Sequence, residues 1–197
     1  MKLHSVIKFI VPAVLLLLVA GLSQAATING SLSLNGGGLT QNGANLSVST
    51  QITATTMATL SAGIGDYLTP VPISTNFGAS ILDITALQNY TFTSAVFGTF
   101  HALNDPTNIV VQRTASFMDV FLIGTFTPGT SAAWAGFTPT RSSLRFSINQ
   151  SGGSISEAIT LNSPDLPPPG TPEPATMALM GSALVGLGLI GRKRIHR

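Results

Sequence analysis

The sequence predicts an all-β protein: an antiparallel β-sandwich-like passenger, with a signal helix before it and a single transmembrane helix after it. Three features of the 197 residues carry that expectation. Apolar side chains between positions 28 and 161 recur at every second residue, the period of a strand with one buried face. Gly, Pro, Asn and Ser interrupt those runs at short intervals, as turns between strands do. Long unbroken apolar runs occur only near the two ends, at residues 9–21 and 177–190.

The first strand sets Ile28, Leu32 and Leu34 against Asn29, Ser31 and Ser33, and Gly36-Gly37-Gly38 reads as its break. Leu46, Val48, Thr50 and Ile52 resume period two after the Asn42-Gly43 turn. Over residues 90–100, Tyr90, Phe92, Val96 and Phe100 share a face. Residues 117–126 are apolar on both faces, which suits a central strand, with Asp119 the odd member. The clearest hairpin is the last, where Leu144, Phe146 and Ile148 alternate and Ile155, Ile159 and Leu161 alternate back. Between them, residues 149–153 turn on Gly152 and Gly153. Residues 57–62 and 79–87 are the only helical candidates, and the second alternates well enough to be a strand. Phe97-Gly98-Thr99-Phe100 echoes Ile123-Gly124-Thr125-Phe126, and Phe126-Thr127-Pro128 echoes Phe137-Thr138-Pro139. Without a sustained period, these read as similar strand ends meeting similar turns.

Both ends look like targeting devices. Lys2 and Lys8 precede the first apolar run, and Ser23-Gln24-Ala25 supplies small residues at the −3 and −1 positions of a cleavage site. Cleavage is expected between Ala25 and Ala26, by signal peptidase after passage through the Sec translocon. At the other end, the 17 residues 175–191 would rise about 25 Å as a helix, at the short end of what spans a bilayer. Arg192, Lys193 and Arg194 follow at once and should stay cytoplasmic as the membrane stop. The chain thus divides into a signal peptide (1–25), a β-rich extracytoplasmic passenger (26–163) and a proline-rich linker (164–174). A transmembrane helix (175–191) and a basic cytoplasmic tail (192–197) complete it.

Pro172-Glu173-Pro174, one apolar helix and a basic stop, in that order, resemble the PEP-CTERM sorting tail of Gram-negative surface proteins. The resemblance covers about 27 residues, and Thr171 stands where the family often has Val. It implies exosortase, a membrane-embedded cysteine protease-like enzyme, as processing partner. Pro172, Glu173 and Pro174 would be the recognition and processing motif. It also implies export across the inner membrane, transient membrane contact and delivery to the cell surface or medium. PEP-CTERM proteins occur in bacteria that make exopolysaccharide and form biofilms, so a structural or adhesive matrix role is implied as well. Physically the motif suits processing, because two prolines fix φ and remove two donors, keeping Glu173 outside any helix or sheet.

Charge narrows the passenger's partners. Six of the nine basic residues (Lys2, Lys8, Arg192, Lys193, Arg194 and Arg197) belong to the ends. Residues 26–174 keep three arginines against seven acidic side chains, a net charge of −4. Nucleic acid binding needs clustered cations and is not expected. Cysteine is absent, which removes disulfides, thiol nucleophiles and thiolate metal sites. His101 is the only histidine of the passenger, and no Gly-x-Ser-x-Gly elbow nominates a nucleophile to join it with Asp105 or Asp119. The acids are isolated in sequence, so no metal or cofactor is expected, and the passenger is read as no enzyme. Trp134 reads as a buried loop anchor, with stacking on a sugar ring as the alternative. A carbohydrate-binding module for matrix exopolysaccharide is accordingly the alternative function.

Overall fold

The computed structural model describes residues 25–167. Three long antiparallel strands form its centre: β11 (Phe117–Thr127), β13 (Thr140–Ser151) and β14 (Ser154–Ser163). Their inward rows include Met118, Val120 and Leu122 on β11, Leu144, Phe146 and Ile148 on β13, and Ile159 and Leu161 on β14, all buried. β13 and β14 are joined by the two residues Gly152 and Gly153, with Ser151 opposite Ser154. Gly152 takes φ +58°, the left-handed backbone that a two-residue hairpin requires.

β2 (Gly30–Gly37) pairs with the free edge of β14, and β6 (Ile64–Gly65) and β5 (Thr56–Thr59) pair with β2. On the other side, β9 (Gly98–Ala102) and β10 (Ile109–Arg113) share one edge of β11, and β8 (Thr91–Ser94) pairs with β9. Ile123 lies at the gap between β9 and β10. Its N–H donates to the Asn108 side-chain carbonyl at 2.6 Å, and its own carbonyl accepts from Leu103 N–H at 2.9 Å. No backbone polar group of Ile123 is therefore stranded where the neighbouring strands part.

A smaller sheet contains β3 (Thr40–Gln41), β4 (Gln51–Ala54) and β7 (Ser80–Asp83). The two sheets are joined by one folded hairpin. Leu34 is opposite Thr59, Gly37 opposite Thr56 and Thr40 opposite Thr53, so a single register runs from β2 into β3 and from β4 into β5. Gly36-Gly37-Gly38 and Thr55 are the corner. There, a Cβ on Gly36 would lie 2.3 Å from Glu157 Oε2, and one on Gly38 would lie 2.2 Å from Thr55 Oγ1. Strands that change sheet through a bend are a known way to turn such corners. Ile52 and Leu82 of the small sheet join Leu34 and Phe146 of the large one in a single apolar cluster. The architecture is all-β and antiparallel as expected, and it curls into a nearly closed barrel-like form. One parallel exception is short: β1 (Ala26–Thr27) pairs with β12 (Phe137–Thr138).

Several expectations are corrected. The three glycines do break the strand, since β2 ends at Gly37, but the pairing register continues past them into β3. Residues 46–50 form a loop in which Leu46 is buried and Val48 exposed, so their alternation was not that of a strand. Residues 90–100 are a hairpin of β8 and β9, and its turn exposes Val96. Of the helical candidate 57–62, residues 57–59 lie in β5 and the rest in a bend; of 79–87, residues 80–83 take the strand alternative as β7, followed by a turn and the start of a 3-10 helix at Leu87. Among the described residues there is no α-helix, only short 3-10 turns at Leu87–Asn89 and Ala132–Trp134. No helix there is long and apolar enough to cross a membrane. The two expected terminal helices lie outside the described residues.

The Gly-Thr-Phe echo has a structural meaning that sequence reading missed. Phe100 and Phe126 are direct cross-strand partners. A Cβ on Gly98 would meet the Phe126 ring at 2.4 Å, and one on Gly124 would meet the Phe100 ring at 2.3 Å. Each glycine therefore makes room for the aromatic ring of the other strand, a reciprocal packing that explains why the two tripeptides match.

Candidate functional site

Trp134 is only 3% exposed. Its Nε1–H donates to the Phe97 carbonyl at 2.9 Å. Tyr67, Phe126 and Phe137 surround the indole with ring centroids 5.2–5.8 Å apart in successive pairs. The two Phe-Thr-Pro echoes thus supply the two phenylalanines that flank the tryptophan. With its face covered and its only donor satisfied, Trp134 is a core anchor, and the sugar-stacking alternative for it is withdrawn.

Ionic groups are mostly consumed by structure. Arg145 grips Asp119 through two bonds of 3.0 and 2.6 Å. Arg141 bridges Asp105 and Asp165, each at 2.8 Å, and Arg113 donates to the carbonyls of Leu46 and Ser49. The Thr107 hydroxyl and backbone N–H, with Arg141, hold the Asp105 carboxyl down at about 2. Asp66 accepts from Asn29 N–H, and Asp83 closes a turn on Thr85, whose bonds hold its pKa below the usual carboxylate value. His101 sits exposed on β9 opposite Thr91 and Thr125. Among the described residues no hydrogen bond joins its ring to a carboxylate or a serine, so Asp105, Asp119 and His101 do not assemble a triad. No three metal-ligating side chains converge there either.

Glu157 is the exception among the acids. It occupies the inward row of β14 between Ile155 and Ile159, where the alternation read from sequence skipped a member. The side chain as a whole is half-buried, yet Oε2 is sealed from solvent with no hydrogen-bond partner. Burial alone pushes its pKa up to about 7. A second buried polar chain runs from Tyr67 Oη to Ser163 Oγ at 2.6 Å, on to Ser142 Oγ and then to the Thr140 carbonyl. It ends on backbone, so it clamps the last turn of β14 and offers no proton acceptor for chemistry. Burial raises the Tyr67 phenol well above its usual value.

One open cavity of about 410 Å³ lies at the tip of the β13–β14 hairpin, lined mainly by Asn149, Gln150, Ser154, Ile155 and Ser156. Gln150 is fixed there. Its Oε1 accepts from Gln41 Nε2 and Leu46 N–H, and its Nε2 donates to the Gly152 carbonyl. No sequence motif marked this cavity. The available signal was a hairpin tip of Asn149, Gln150, Ser151, Ser154 and Ser156, rich in hydroxyls and amides.

Of the sorting residues, Ala26 opens β1 and its N–H donates to the Gly136 carbonyl at 2.8 Å, while Ala25 precedes it exposed. Pro172, Glu173, Pro174, Arg192, Lys193 and Arg194 lie outside the described residues. Residues 170–194 match the family model of the PEP-CTERM protein-sorting motif. The chain carries a PEP-CTERM sorting signal. That signal marks an exported protein processed by exosortase and delivered to the cell surface or beyond. No curated protein and no solved structure matches the chain. The motif therefore supplies the identity of the tail, and the passenger must be read from its own residues.

Proposed function

We propose that this protein is a structural or adhesive component of the exopolysaccharide matrix around the cell, without enzymatic activity of its own. In this reading, signal peptidase cuts between Ala25 and Ala26, and exosortase acts at Pro172-Glu173-Pro174. The passenger is then left at the surface or in the medium. The sorting motif at residues 170–194 is the observation that carries the reading. The passenger's chemistry is in keeping with it. Its arginines are tied down by carboxylates and backbone, and most of its aromatic side chains are committed to the core. A passenger of this kind survives outside the cell by packing and hydrogen bonding, with no disulfide to form or lose.

The test is fractionation of a producing culture into cells, matrix and medium, with and without the gene. The processed protein should be enriched in the matrix fraction, and its deletion should loosen matrix cohesion under shear. Recovery only in the free medium, with cohesion unchanged in the deletion strain, would contradict the role.

A further inference from the structure

The segment that leads from β5 through β6 and the turns beyond it carries an outsized share of exposed apolar surface. Leu60, Ile64, Leu68 and Ile73 are each 58–68% exposed. They are four of the ten exposed large apolar side chains among the described residues, yet residues 60–73 make up only about a tenth of them. Exposure scattered at random over the surface would not concentrate in this way. Leu60 N–H donates to the Ser33 carbonyl and Ile64 is opposite Ser31. Both therefore sit along the outer edge of β2, on the row that faces away from buried Leu32 and Leu34. Leu68 follows in a turn closed by its own N–H on the Gly65 carbonyl, and Ser74 N–H on the Thr59 carbonyl brings Ile73 back beside Leu60. Tyr67 and Val71, both fully buried, root the segment in the core. Asp66, the only charged side chain between residues 26 and 82, is turned onto Asn29 N–H at 2.7 Å.

This patch lies at the end of the passenger where the chain leaves for the sorting tail. Gly65 is opposite Gly30 and Gly30 is opposite Ser163, so β6 stands two strand spacings, about 10 Å, from the last residue of β14. Tyr67 Oη is 2.6 Å from Ser163 Oγ. Asp165 is then held against the start of β13, with its N–H on the Arg141 carbonyl and its carboxylate on the Arg141 guanidinium. Arg141 also bonds Asp105, so these three ionic groups are spent on one another. Nine residues, 166–174, separate Asp165 from the apolar run that starts at 175. Fully extended, they reach roughly 30 Å. The other end of β14, at Ser154, lies about 30 Å from Ser163.

We propose that Leu60, Ile64, Leu68 and Ile73 seat the passenger on the bilayer surface while its tail is still attached. The inference rests on residues 175–191 entering the membrane. A second copy of the chain is the competing occupant, but a standard protein interface buries about 20–30 residues a side, many more than this cluster offers. A tethered contact needs far less, because a short linker keeps the two surfaces at high effective concentration. Charge contributes nothing to it. Residues 25–167 hold three arginines, all engaged, against six acidic side chains, so burial of apolar surface has to carry the contact. Cutting the tail removes the tether's advantage, and the same patch then lets go.

Because the chain has no cysteine, Ile64→Cys and Ser154→Cys each provide a single thiol for an environment-sensitive fluorophore. Unprocessed chains so labelled are reconstituted in phosphatidylcholine vesicles that contain nitroxide-labelled lipid, and are recovered by flotation. The label at position 64 should be quenched at least twofold more strongly than the label at 154, and salt at about 0.5 M should not reduce the difference. Leu60→Ser combined with Ile73→Ser, both at exposed positions, should at least halve the quenching at 64 and leave flotation unchanged. Equal quenching of the two labels, quenching at 64 that the double variant leaves intact, or quenching that requires anionic lipid would overturn the proposal. So would quenching that disappears as the chains are diluted to one per vesicle, which would identify a second copy as the occupant. Chains that float without quenching at 64 leave the tail anchor standing and remove only this contact. Chains that do not float remove both.

Discussion

Glu157→Gln separates a buried acid from the rest of the fold. In the folded chain the Glu157 carboxyl titrates at about 7, against 4.5 for a free glutamate, and burial is the cause. Because the folded pKa is the higher one, the folded state holds the proton more tightly. The stabilisation is complete below pH 4.5 and is lost as the pH rises to about 7, after which it is flat. The difference between 4.5 and about 7 corresponds to about 3 kcal/mol. Since the side chain is only half-buried, solvent reaching its other oxygen should trim this to about 2 kcal/mol. The charged and titratable neighbours do not complicate the reading. Gly36, Leu39 and Ala54 line the corner beside Oε2, Ile148 is the cross-strand partner, and the buried Tyr90 phenol is itself pushed far above its usual value. The Asp105 carboxyl acts at about 2, well below this window. Urea unfolding at pH 4.5 and pH 8 is the assay. Wild type should lose about 2 kcal/mol between the two, and Glu157→Gln should lose almost none and exceed wild type at pH 8. Parallel pH dependence in the two proteins would refute the argument, because the titrating group would then lie elsewhere.

Gly124→Ala should cost about 1–3 kcal/mol in the same unfolding assay, since the new Cβ would sit 2.3 Å from the Phe100 ring. Trp134→Ala should cost about 3–5 kcal/mol through the cavity left among Tyr67, Phe126 and Phe137. Arg145→Ala should cost about 1–3 kcal/mol, because it leaves the buried Asp119 carboxylate without its two bonds; Asp119→Asn in the same chain should recover part of that loss.

Period two between Leu144 and Leu161 made the last hairpin legible, because one face of each strand is buried and the turn holds two glycines. The run around Leu122 announced a strand at the middle of the sheet for a related reason: Phe121 and Ile123 on its outer row are buried as well. The corner was not legible. Gly36-Gly37-Gly38 looks like a terminator when only local conformation is weighed, and its real task is to bend a hairpin against Glu157 and Thr55, which are distant in sequence. Leu46 and Val48 misled because a loop pinned by Arg113 can bury one apolar residue and expose the next without being extended. Glu157 could have been noticed as the charged member of an inward row, but only the fold reveals that nothing pairs with its buried oxygen. At the tail the opposite holds, since the order of motif, apolar run and basic stop is itself the signal.

Intact mass spectrometry of the protein recovered from the native cell surface or medium tests export and processing most directly. The account predicts a chain that begins at Ala26 and ends between Pro172 and Ala175, lacking every residue of the basic tail. A mass that retains Arg192, Lys193 and Arg194 would contradict exosortase processing and leave a protein permanently held by its C-terminal segment.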